Sequence, residues 1–232
     1  MYTRKQLEEG VVLCIDKPAG WTSFDVVAKV RALTGVRKVG HAGTLDPFAT
    51  GLLLVATGRA TKKIASLTGL VKEYEGVVEF GRETDTLDPT GKVVRTCPVP
   101  ELSREALQEI ANRFVGEIEQ RVPAYSAVKV GGKRLYKLAR KGKTVEAPVR
   151  RVTVEQFDVR SWRPPLAEIF VRCHAGTYVR ALARDVGIAA GSCAYLRELR
   201  RVRIGPYKVE DAIPVERLAD VLLARNFSES RE

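Results

Sequence analysis

Residues His41–Lys62 read HAGTLDPFATGLLLVATGRATK. The stretch has two halves. Thr44-Leu45-Asp46-Pro47 is a tight polar turn, because Asp bonds nearby backbone and Pro presets φ. The apolar run Leu52-Leu53-Leu54-Val55 follows at once and predicts a buried strand. Asp46 is thus mounted on a loop at the rim of a stiff core, where reactive groups are commonly carried. An isolated Asp-Pro is most often a turn and nothing more. This one belongs to a longer pattern.

Outward from that stretch, Val11–Ile15 predicts a strand. Ser23 is expected to cap a helix that turns Val26, Val27, Val30 and Leu33 inward and stops at Gly35. Residues 71–80 predict a strand with Tyr74, Val78 and Phe80 on one face. A polar turn region, Gly81–Gly91, follows. Ser103 caps a second helix with Leu107, Ile110, Ala111 and Phe114 at helical spacing. Residues 149–160 and 166–173 predict two further strands. A helix is expected over Thr177–Ile188 and another from Pro214. Strands and helices mix without a regular βαβ period. The expected class is mixed α/β (α+β), a largely antiparallel mixed sheet with flanking helices, and not a Rossmann arrangement.

Composition narrows the function. The 232 residues are 45% hydrophobic, enough for one sizeable core. No apolar run reaches the length of a membrane span, and the first residues lack the apolar core of a signal peptide. Cys14, Cys97, Cys173 and Cys193 are scattered and form no Cys-x-x-Cys pair. Reduced thiols in a cytoplasmic protein are the economical expectation. With only His41 and His174, no metal site is expected. The net charge of +11 favours a polyanionic partner. Lys133, Arg134, Lys137, Arg140, Lys141 and Lys143 crowd one segment; Arg197, Arg200, Arg201 and Arg203 crowd another. Aromatic residues are only 7%, so phosphate contact plus one specific pocket suits the chain better than a stacking platform. Gly142-Lys143-Thr144 lacks the earlier glycine of a phosphate loop, because that position is Lys137, and no nucleotide cofactor is implied. Asp85 and Asp88 flank a turn without the other ligands of a calcium loop.

Four segments in order resemble the TruB-type tRNA pseudouridine synthases: Lys17-Pro18-Ala19-Gly20-Trp21-Thr22-Ser23, the His41–Pro47 motif, Pro123-Ala124-Tyr125-Ser126-Ala127-Val128-Lys129, and Gly176-Thr177-Tyr178-Val179-Arg180. The likeness runs from about Gly10 to about Gly205. The His-Ala-Gly-Thr-Leu-Asp-Pro motif is specific, since the ribosomal-RNA synthases carry an Arg-Leu-Asp core there without the Pro. The resemblance implies the pseudouridine synthase fold with a central catalytic cleft. It implies isomerisation of uridine 55 in the T arm of tRNA. That reaction needs no cofactor or metal, and a monomer in the cytoplasm is expected.

It also implies roles. Asp46 is the catalytic carboxylate, able to attack C6 of the base or C1′ of the ribose. Arg180 pairs with that carboxylate, and Asp88 joins the network. Tyr74 stacks on the target base, and its phenol is a candidate proton acceptor from C5. Tyr178 and Leu196 line the pocket. The base must leave its stack to be reached, and His41 enters the RNA loop there. Lys17 and Pro18 buttress the catalytic loop. The basic residues Lys133, Arg134, Lys137 and Arg140 belong to an RNA-clasping insertion at about 124–148, with Gly131 and Gly132 giving it freedom.

Two departures stand out. Val122 replaces the Pro that usually precedes Pro123. After Gly205, one strand and one helix remain, so a single catalytic domain over 1–232, with no separate C-terminal RNA-binding domain, is expected. Two alternatives fit the basic charge: a synthase for another RNA, including the RNA-guided type, and an RNA-binding or RNA-folding protein without catalysis. The second leaves Asp46, Tyr74, Arg180 and Asp88 without a purpose.

Overall fold

The described residues form two compact units, residues 2–70 with 200–222 and residues 71–139 with 146–199. The computed structural model describes residues 2–139 and 146–222.

The first unit begins with α1 (Arg4–Glu9) and β1 (Val12–Lys17). Alternate residues of β1 are buried, as a half-buried strand requires. The helix α2 (Ser23–Thr34) is capped by Thr22 and not by Ser23. Thr22 Oγ1 accepts the Asp25 N–H, and the Asp25 carboxylate accepts the Thr22 N–H, a reciprocal box that a lone Ser cannot make. Gly35 ends the helix at φ 68°, in the left-handed region. Then come β2 (Val39–Ala42), β3 (Thr50–Thr57), a short 3-10 turn and α3 (Ile64–Gly69). In β3 the whole run Leu52–Val55 is fully buried, each side chain worth about 1.5–3 kcal/mol of burial.

The second unit carries β4 (Lys72–Phe80), the hairpin β5 (Arg82–Thr84) and β6 (Val93–Thr96), α4 (Arg104–Asn112), β7 (Gly116–Arg121), the small ribbon β8 (Lys129–Val130) and β9 (Lys133–Arg134), α5 (Leu135–Ala139), β10 (Val149–Arg163), β11 (Leu166–Cys173) and α6 (Val179–Ala189). The strands β4, β11, β10 and β7 pair antiparallel in that order. Ser103 caps α4, whose Leu107, Ile110 and Ala111 are buried. α6 starts two residues later than the Thr177 expected from sequence.

Strand β12 (Ala194–Ile204) contributes residues to Leu199 to the second unit and from Arg200 to the first. There follow β13 (Tyr207–Lys208), β14 (Ile213–Pro214) and α7 (Leu218–Leu222). In the first unit β1 is antiparallel to β3 and parallel to β14, while β3 is antiparallel to β2 and parallel to β12. Both faces of this sheet are covered. Ile15, Leu53 and Val55 pack with Val26, Val27, Val30, Val215 and Leu218; Leu52 and Leu54 pack with Leu67 and Ile204. The mixed, largely antiparallel class expected from sequence is what forms.

Two expectations are corrected. Cys97 and Cys193 are joined in a disulfide, so the chain does not hold four free thiols. A sequence separation of 96 residues leaves no local motif by which to see the pair. The arginine crowd on β12 is not an open basic surface. Arg200 makes a two-pronged bond to Asp16, Arg197 bonds Glu79, Arg203 Nε donates to the Gly205 carbonyl, and Arg201 is buried.

Candidate active site

In the first unit the β2–β3 connection carries Asp46, and the sequence explains how it is held. Leu45 and Ala49 are buried and pin the loop into the core on either side of Asp46. The Ala49 N–H donates to the Asp46 carbonyl at 3.1 Å, so the turn runs from Asp46 to Ala49, two residues later than the Thr44–Pro47 turn expected from sequence. Asp46 itself is half-buried. Ser23, displaced from capping by Thr22, has its hydroxyl free for another task. It accepts the Leu45 N–H at 2.9 Å and donates to the Leu45 carbonyl at 3.2 Å. The Gly20 N–H donates to the Pro47 carbonyl at 2.8 Å.

Lys17, completely buried at the end of β1, lies under this loop. Its ammonium donates to the carbonyls of Trp21, Pro18 and Pro47, at 2.8, 2.9 and 3.4 Å. Burial lowers its pKa to about 8. The charges of Asp46 and Asp25 oppose that shift, and Arg201 adds to it. Coulomb interactions are mutual, so the ammonium favours an ionised Asp46. Pro18 is half-buried and supplies one of the three carbonyls. His41, half-buried on β2, is held below the usual imidazole pKa, first by burial and then by Arg201. Its buried Nδ1 has no hydrogen-bond partner among the described residues.

In the second unit Arg180 is 3% exposed near the start of α6. Nη1 donates to the Thr86 carbonyl at 2.6 Å and lies 3.5 Å from the Asp88 carboxylate; Nη2 donates to the Tyr125 carbonyl at 3.1 Å. Asp88 is also buried. Its Oδ1 accepts the Thr86 hydroxyl at 2.7 Å and the Thr90 N–H at 3.0 Å. The turn is tight enough to force Leu87 to φ 61°, in the left-handed region. Its carbonyl accepts the N–H of Leu196, a fully buried residue of β12. Arg180, Asp88 and Leu196 therefore share one hydrogen-bonded region.

Tyr178 is fixed just before α6 by Gln120, whose side-chain oxygen accepts the Tyr178 N–H at 2.8 Å and whose amide donates to its carbonyl at 3.2 Å. The Tyr178 side chain packs against Val122, Val128 and Leu135. The Val that departs from the family pattern is thus a core residue. Tyr74 lies on β4 with 8% of its surface exposed, opposite Val171 of β11. Lys133 and Arg134 on β9 and Lys137 on α5 are exposed. Arg140, Lys141 and Lys143 lie outside the described residues.

Three supporting residues escaped the sequence reading: Arg201, Gln120 and Ser23. Arg201 had a signal, because it sits two residues after Leu199 and shares its buried face. Ser23 had one too, as the last residue of the Lys17–Ser23 segment, though its bond to Leu45 lies 22 residues away; Gln120 had none, since its partner Tyr178 is 58 residues away.

Known proteins resemble the chain along most of its length. Residues 31–179 match the model of the TruB family pseudouridylate synthase N-terminal domain, and residues 180–231 match that of the tRNA pseudouridylate synthase B C-terminal domain. The described part of the latter match is distributed over both units, through α6, β12 and the elements after it. The chain is 46% identical over 215 residues to tRNA pseudouridine synthase B of Mycobacterium sp. (strain KMS), covering 91% of this chain and 72% of that one. It is 44% identical over 218 residues to the tRNA pseudouridine synthase B of Chlorobaculum tepidum, covering 92% and 91%. Among solved structures, a chain of a Cbf5-Nop10-Gar1 complex superposes with a TM-score of 0.73 at 29% identity; the match covers 96% of this chain and 59% of that one. The chain belongs to the TruB family of pseudouridylate synthases and is an isomerase with the pseudouridine synthase fold.

Proposed function

We propose that this enzyme isomerises uridine 55 in the T arm of tRNA, acting as a cytoplasmic monomer with Asp46 as its nucleophile. The observation that carries the reading is the Asp46 loop: a half-buried carboxylate fastened through its neighbours' backbone and backed by the buried Lys17 ammonium. The relatives named tRNA pseudouridine synthase B support tRNA as the substrate.

The reaction breaks the C1′–N1 bond, turns the uracil, joins C1′ to C5, and moves the C5 proton away while N1 gains one. Asp46 attacks C6 or C1′ and stabilises the separated fragments. The Arg180–Asp88 network takes the charge-compensating role that the family resemblance implies. Tyr74, Tyr178 and Leu196 wall the base, and Tyr74 accepts the C5 proton directly or through water. His41, neutral and apolar in character at physiological pH, fills the vacated stack. To test the reading, purified enzyme is incubated with an unmodified T-arm stem-loop and pseudouridine is mapped. Modification at position 55 is expected; modification elsewhere alone would overturn the assignment.

The basic insertion supplies affinity in this account. Each lysine or arginine on a phosphate contributes a log–log salt slope of about −0.7 to −0.9. Replacing Lys133, Arg134, Lys137 and Arg140 together with Ala should flatten the slope by about two to four units. It should raise KM more than it lowers kcat. Stem-loop binding at several salt concentrations is the check, and an unchanged slope would remove the insertion from the interface.

Lys17 should impose an alkaline limit on activity. An ammonium has three N–H donors for three carbonyls, whereas a neutral amine has two. As the pH rises through about 8 one loop contact is lost, and kcat should fall with it. Stability moves the other way. The folded pKa lies below the ordinary 10.5, so between about 8 and 10.5 the unfolded chain binds more protons, and this group favours folding increasingly as pH rises. A pH–rate profile paired with urea melts separates the two. Turnover that is flat across this range would contradict the role given to Lys17.

A further inference from the structure

We propose that Arg201 is a positioning residue for catalysis, whose guanidinium clamps both ends of the loop that carries Asp46. The inference rests on the reading of Asp46 as the catalytic carboxylate. Arg201 is 1% exposed, one of the largest fully buried side chains in the protein. Its Nε donates to the Leu52 carbonyl at 2.7 Å and its Nη2 to the Gly43 carbonyl at 3.1 Å. Gly43 begins the excursion that leaves β2, and Leu52 lies just inside β3, where the excursion has ended. One planar group therefore spans the neck of the loop.

The backbone is arranged to allow this. β12 pairs parallel with β3, with Arg201 opposite Gly51. Gly51 has φ 101°, and a Cβ there would come within 2.3 Å of the Arg201 carbonyl oxygen. The glycine thus lets β3 lie directly against the Arg201 main chain, which brings the side chain within reach of both carbonyls.

Burying a guanidinium is costly unless its N–H groups are satisfied. A buried cation retained on backbone carbonyls needs a reason that an apolar residue would not meet. The fork supplies one, since its separated N–H groups reach two acceptors at fixed geometry, which a lysine ammonium does not. Its charge is felt nearby, opposing protonation of both Lys17 and His41. Lys17 holds the loop at Pro47, Ser23 holds it at Leu45, and Arg201 closes its neck.

The test compares wild type, Arg201→Lys, Arg201→Met and Asp46→Asn on the T-arm stem-loop, with activity expressed per folded molecule from urea melts. Misplacing a reacting group by about 1 Å costs on the order of 100-fold. Both Arg201 variants should lose roughly 10- to 100-fold in kcat by that measure, with KM and stem-loop affinity within about twofold. In Arg201→Met the pKa of His41, read by NMR, should rise toward its ordinary value; in Arg201→Lys it should rise less. Should neither variant fold, wild type alone still decides: the Arg201 Nε–H should exchange slowly with solvent, and fast exchange would overturn the clamp. Unchanged kcat per folded molecule, with Asp46→Asn inactive, would make Arg201 merely structural. Turnover by Asp46→Asn would overturn the underlying reading of the loop.

Discussion

Asp46→Asn is expected to lower turnover by at least roughly 10³-fold, in line with removal of a nucleophile that acts in concert with its surroundings. The fold should survive. The loop is fastened through the Asp46, Pro47, Leu45 and Gly43 main chain and not through the carboxylate alone. Asn keeps the shape and loses the charge, so stem-loop affinity should stay within a few-fold. One secondary effect follows from the sign of the coupling. The Asp46 charge raises the pKa of Lys17, so its removal should lower that pKa further below about 8. The checks are single-turnover kinetics, binding by filter retention and a urea melt. Loss of folding in place of loss of chemistry would recast Asp46 as a structural residue.

The second large effect is expected at Arg180. Arg180→Met removes the donor to two carbonyls, those of Thr86 and Tyr125, and strips the buried Asp88 of its cation. Breaking a buried charge pair from one side costs about 3–5 kcal/mol. The lower end is expected, because Asp88 keeps the bonds from Thr86 and Thr90. Turnover should fall roughly 10²- to 10³-fold, as for loss of a preorganised charged donor. Arg180→Lys retains the charge but cannot serve both carbonyls, so it should recover most of the stability and little of the rate. Denaturant melts beside single-turnover rates separate these contributions. A variant as active as wild type would exclude Arg180 from the chemistry.

Much of this architecture was readable because it is local. The apolar spacing of Val26, Val27 and Val30, the run Leu52–Val55 and the alternation along β11 each state their burial directly. The turn at Asp46 was visible only to within two residues: Pro47 marks it locally, but it closes from Asp46 to Ala49 and not over Thr44–Pro47. The roles of Arg180, Asp88 and Tyr178 came from resemblance: Thr86 and Thr90 hold Asp88 locally, but nothing near Arg180 or Tyr178 in sequence names their partners. Arg180 meets Thr86 and Tyr125 across separations of 94 and 55 residues.

Charge counting was the weakest guide. Lys133 and Arg134 are exposed, as their crowding suggested, yet Arg201 is buried and Arg200 is neutralised by Asp16. The difference lies in strand register, since buried positions on β12 change parity between Leu196 and Leu199. A helix cap can likewise move by one residue. Thr22 and Ser23 are both good caps, and the Asp25 that completes a box with Thr22 decides between them.

The central claim is that Asp46 drives replacement of the C5 hydrogen of uridine 55 by the ribose. The most direct measurement is tritium release from a T-arm stem-loop labelled at C5 of that uridine, under single-turnover conditions. Wild type should release the label completely and leave pseudouridine in the strand, while Asp46→Asn, folded and RNA-bound, should release essentially none. Retention of the label by wild type, or release by the variant at the wild-type rate, would contradict the account.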